Sequence, residues 1–72
     1  MEMNERLKEL RTERGLTLKQ TSHALQLTLS AYANYEHGIR EPSVEIIRRI
    51  CRFFEVSADY LIGLEDDTGK RY

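Results

Sequence analysis

Cysteine is nearly absent from this chain, with Cys51 the single one among 72 residues. An intrachain disulfide is therefore impossible, and a fold built on a disulfide framework is excluded. Cys51 falls in the apolar-periodic run 46–54 with no base evident beside it. That placement reads as a reduced core thiol of an intracellular protein rather than a nucleophile. No apolar stretch approaches the roughly 20 residues that span a bilayer, and no charged-then-apolar leader opens the sequence. The expectation is a cytoplasmic protein with no membrane partner. Strand-type alternation of useful length is missing, as are internal repeats, low-complexity tracts and an interdomain linker.

Excess charge of either sign is lacking too. Eleven Lys and Arg stand against 12 Asp and Glu, for a formal net charge of −1. Overall electrostatics therefore announce no nucleic-acid partner. The distribution is more informative. Residues 1–14 balance four basic against four acidic groups, whereas residues 15–40 carry Lys19 and Arg40 against Glu36 alone, plus His23 and His37. Residues 65–72 are acid-led through Glu65, Asp66 and Asp67. The middle third is the least acidic part. His23 and His37 have no Cys or acidic partner at ligand spacing, so no metal is expected. Acid/base pairs, a nucleophile–base set and a phosphate loop are also missing, so the reading is not an enzyme, with no cofactor and no evident small-molecule ligand.

What is there is ordinary for a soluble globular domain: 40% hydrophobic and 32% charged residues. The length allows one small domain with a thin core. Its punctuation predicts five short helices, an all-α architecture. Asn4 is expected to cap a first helix with Leu7 and Leu10 facing inward, stopped by Gly15 after Arg14. Thr17 and Gln20 form a capping box for a second helix from Leu18 to about Leu25. Thr28 caps a third from Leu29 to about His37, which Gly38 ends. Pro42 and Ser43 open a fourth, with Val44, Ile47, Ile50, Cys51 and Phe54 at core spacing. Ser57 caps a fifth that ends near Gly63. Only Gln26-Leu27 separates helices two and three, a connection that forces a steep crossing, as in a helix-turn-helix. The domain is expected over 4–64, with a flexible tail over 65–72.

Three segments together resemble the Xre/Cro family of bacterial and phage regulators. They are Ala31-Tyr32-Ala33-Asn34-Tyr35-Glu36-His37-Gly38, the turn Arg40-Glu41-Pro42-Ser43, and Val56-Ser57-Ala58-Asp59-Tyr60-Leu61. The resemblance implies a compact five-helix, lambda-repressor-like domain. It also implies a homodimer that sets its third helix into the major groove of a pseudo-palindromic duplex DNA site. The base-reading positions it implies are Leu29, Ser30 and Asn34, with Ala33 close by. An asparagine amide can pair bidentately with adenine, a serine discriminates little, and a leucine offers only apolar contact, for instance to a thymine methyl. Phosphate contacts are expected from Thr28 at a helix N-terminus, from Lys19 and Arg40, and from Tyr32 and His37. Arg11 and Glu36 match the family's buried salt bridge. Tyr32 and Tyr35 are expected to fill the space between helices one, three and four, with their hydroxyls reaching water. A homodimer through the C-terminal part is expected: Ile46 and Phe53 lie seven residues apart on one stripe of helix four, outside the residues expected in the core, and Ala58 and Tyr60 match the family's dimer-contact region.

The sequence also departs from that pattern. Leu18 and Leu29 stand where the family has a pair of glutamines, and the two are expected to touch on the DNA-facing surface. Gln26 occupies the turn position usually held by glycine, which predicts a left-handed residue at a cost of about 1–2 kcal/mol. Thr21 and Ser22 replace apolar residues on the inner face of helix two. Three functions fit: a transcriptional regulator, in particular a repressor; the antitoxin of a toxin–antitoxin pair; or a protein-interaction module that has lost DNA binding and docks through Leu18 and Leu29.

Overall fold

The computed structural model describes residues 1–64; the tail expected over 65–72 lies outside them. Five helices follow one another: α1 Met3–Glu13, α2 Leu18–Ala24, α3 Leu29–Glu36, α4 Val44–Phe54 and α5 Ala58–Ile62. Side-chain caps start four of them. Thr17, Thr28, Ser43 and Ser57 each accept a hydrogen bond from the backbone N–H three residues on, and Gln20 returns the favour to Thr17 N at 2.9 Å. Helix α1 differs from expectation. Its cap is Glu2, whose N–H donates to Glu5 at 3.0 Å, while Asn4 lies inside the helix. The Asn4 side chain instead reaches Gly38, where an added Cβ would lie 3.3 Å from its amide nitrogen. With φ at +74°, Gly38 is thus held by both conformation and space.

Helices end by one device. After α2, Leu27 N donates to Ser22 O and Gln26 N to His23 O, the paired bonds of a turn closed by a left-handed residue. Gln26 supplies that residue at φ 59°, as expected of the position where the resembled family has glycine. Glu55 does the same after α4 at φ 57°, a position with no such expectation. Both lack the freedom of glycine and hold a conformation costing about 1–2 kcal/mol.

The core joins Leu7 and Leu10 of α1, Leu25, Tyr32 of α3, Ile50 and Phe54 of α4, and Leu61 of α5. Each such burial stabilises by about 1.5–3 kcal/mol. Val44, expected inside, is 66% exposed. It opens α4 beyond the edge of the core, so the buried stripe begins a turn later. Thr21 and Ser22 are buried, and their hydroxyls donate to the carbonyls of Thr17 and Lys19, both at 3.0 Å. Their polarity is thereby satisfied inside α2 itself. Three arginines secure the connections. Arg11 Nη1 donates to Leu16 O at 2.8 Å, Arg14 Nη2 to Phe54 O at 2.7 Å, and Arg49 Nη1 to Leu25 O at 3.3 Å. Among the described residues no helix is long and apolar enough to cross a membrane.

Candidate nucleic-acid interface

Helix α3 has two unlike faces. Inward, Tyr32 and Glu36 are buried, four residues apart on one side. Glu36 accepts from Arg11 Nε at 2.6 Å and from Arg11 Nη2 at 3.1 Å, a two-pronged ion pair between α1 and the end of α3. That hydrogen bond is the main reason the guanidinium holds its proton above its ordinary range. Tyr32 is 0% exposed, and its hydroxyl approaches the Glu36 carboxylate without meeting hydrogen-bond geometry. Burial first, and the carboxylate second, push that hydroxyl well above a tyrosine's usual pKa. Two expectations for Tyr32 are thereby corrected. Its hydroxyl does not reach water, and it is sealed away from any phosphate, because the side chain is the centre of the core.

Outward, Ser30, Ala33, Asn34 and His37 fall at i, i+3, i+4 and i+7, opposite Tyr32. Ser30 and His37 are exposed, and Ala33 and Asn34 half-buried. Leu29 begins the helix 48% exposed. Thr28 spends its hydroxyl on Ala31 N at 3.1 Å, leaving the first amides of α3 at the open end of the helix dipole. Two backbone bonds fold the following loop onto α3: Ile39 N and Arg40 N both donate to Asn34 O, at 3.0 and 3.3 Å. The exposed Arg40 is thus anchored at one end of the outward face. Lys19, exposed on α2, shares the lining of one hollow with Leu29, the first residue of α3.

Between α2 and the start of α3 lies an open hollow of about 510 Å³, lined by Thr17, Lys19, Gln20, Ser22, His23, Leu27 and Leu29. Sequence reasoning placed only Lys19 and Leu29 in the interface. Thr17 and Gln20 signalled a cap and nothing more, and His23 and Leu27 join the site only once α2 and α3 are packed together. The two leucines differ in burial: Leu18 is half-buried and packs against the core, whereas Leu29 lines the hollow with 48% of its surface exposed.

This architecture, two short capped helices joined by a left-handed turn and braced by three others, has relatives. The profile of the helix-turn-helix family matches residues 7–61. This chain belongs to the helix-turn-helix family, in its Xre/Cro branch. Among curated helix-turn-helix proteins it is 32% identical to the HTH-type transcriptional regulator ImmR of Bacillus subtilis, over 99% of this chain and 55% of that protein. It is 38% identical to the HTH-type transcriptional regulator AnsR of the same organism, over 85% of this chain and 53% of that protein. A crystal structure of a transcriptional regulator from Listeria innocua superposes with a TM-score of 0.82 at 29% identity, covering 92% of this chain and 62% of that one. The chain spans about half the length of the curated relatives named here.

The residues expected at a dimer interface are divided. Phe53 is 37% exposed, edge-on to Phe54 with centroids 4.9 Å apart, and Ala58 is exposed. Ile46, expected outside the core, packs against it instead, because the i+4 step from Ile46 reaches the buried Ile50. Tyr60 lies under the Arg6 guanidinium, 4.0 Å from ring centroid to carbon.

Proposed function

We propose that this chain is the sequence-reading module of a transcriptional regulator, entering the major groove of duplex DNA with the outward face of α3. The observation that carries this reading is the contrast across that helix. Its inward face is locked by Tyr32 and the Arg11–Glu36 pair, while Ser30, Ala33 and Asn34 lie on the opposite side, Leu29 opens the helix half-exposed, and the cations Lys19 and Arg40 are exposed nearby. Asn34 discriminates, through bidentate pairing to adenine. Ser30 adds a less selective bond, and Leu29 and Ala33 add apolar contact. Thr28, Lys19, His37 and Arg40 hold the flanking phosphates, which fix register without reading sequence.

The module acts as a homodimer on a pseudo-palindromic operator, joined through the α4–α5 side where Phe53 and Ala58 are exposed and Ile46 and Tyr60 lie at the margin. It represses where its operator overlaps a promoter. Titration onto a pool of random duplexes, followed by sequencing, tests the reading. Enrichment of an inverted repeat is expected, with Arg40→Ala weakening every sequence alike and lowering the salt slope by about one contact. No enrichment would favour a protein-interaction module instead, for which the half-exposed Leu29 beside its hollow is the supporting feature.

A further inference from the structure

Leu29 and Leu27 give the hollow at the mouth of α2 and α3 its apolar wall, and Leu29 keeps 48% of its surface in solvent. A leucine has no donor or acceptor, so it cannot tell base edges apart by hydrogen bonding. The polar groups of the hollow are partly committed. Thr17 and Gln20 bond each other's backbone in the capping box, and Ser22 donates to Lys19 O. In the major groove one base feature is apolar, the methyl on C5 of a pyrimidine, carried by thymine and by methylated cytosine. The hollow reaches α3 at its first residue, Leu29, the sequence neighbour of Ser30, and Lys19 lines it too.

We propose that this hollow is a subsite for the 5-methyl group of a pyrimidine. At one position of each half-site, thymine is then preferred over uracil and 5-methylcytosine over cytosine, by the same factor. The subsite makes affinity depend on the methylation state of the DNA. The inference rests on the assignment of α3 as the reading helix.

The test replaces, one at a time, each thymine of the enriched duplex by deoxyuridine and each cytosine by 5-methyldeoxycytidine, and measures affinity. Removing a buried methyl should weaken binding about fourfold per half-site at one thymine, and a cytosine placed there should gain about fourfold on methylation. Leu29→Ala should erase both differences. Leu29→Met, which keeps an apolar side chain of similar size, should retain them, and guards against a variant that merely binds poorly. If no pyrimidine responds to its methyl, or if the response survives Leu29→Ala, this inference is overturned while the reading role of α3 stands. A pool from which no duplex is enriched overturns both.

Discussion

The two faces of α3 are built to opposite specifications. On the inward face, Tyr32 is wholly enclosed and Glu36 is gripped by Arg11 at 2.6 and 3.1 Å. On the outward face, small and polar side chains make few obligations to the rest of the protein. A helix divided this way can change what it contacts without changing how it is held. Substitutions inward should therefore cost stability, and substitutions outward should cost recognition.

The largest expected effect lies inward. Glu36→Ala leaves Arg11 facing an apolar gap and should destabilise by about 3–5 kcal/mol in chemical denaturation. A loss below about 1 kcal/mol would mean that the inward face is not what secures α3. The two leucines give the sharpest contrast within one variant pair. Leu18 packs against the core, so Leu18→Gln should cost about 1–3 kcal/mol, whereas Leu29→Gln on the exposed rim should stay within about 0.5 kcal/mol. Equal losses would show that the two positions are equally buried, which the exposure of Leu29 contradicts. A smaller change sits in the turn that aims α3. Gln26→Gly removes a left-handed side-chain conformation and should raise stability by about 1 kcal/mol, read as a higher melting temperature.

The helix ends were legible in the sequence because capping is local chemistry. Thr17 with Gln20, Thr28, Ser43, Ser57 and Gly38 act within a few residues of themselves, and the left-handed Gln26 was expected because the resemblance puts it where the family has glycine. Features that depend on tertiary packing were hidden. Asn4 is a good cap by type, yet Glu2, two residues earlier, closes a reciprocal box with Glu5 and leaves Asn4 to face Gly38. Periodicity could not tell that Val44 overhangs the core, that Ile46 turns into it, or that Arg6 is 2% exposed beneath its contact with Tyr60. The reading residues were found through family resemblance, since nothing in composition distinguishes Asn34 from any other amide near the surface. The hollow was invisible for a further reason, since its lining comes from α2, the turn after it and the start of α3, and becomes one surface only when these pack together.

The most direct measurement pairs binding with melting on a single variant, Asn34→Ala. Affinity for the enriched duplex should fall by about 1–3 kcal/mol and preference at one base pair should flatten. The melting temperature should remain that of the parent protein, because Asn34 holds the following loop through its backbone carbonyl, which the substitution keeps. Unchanged preference at every base pair, or a loss of binding that merely follows a lowered melting temperature, would contradict the division of α3 into an anchoring face and a reading face.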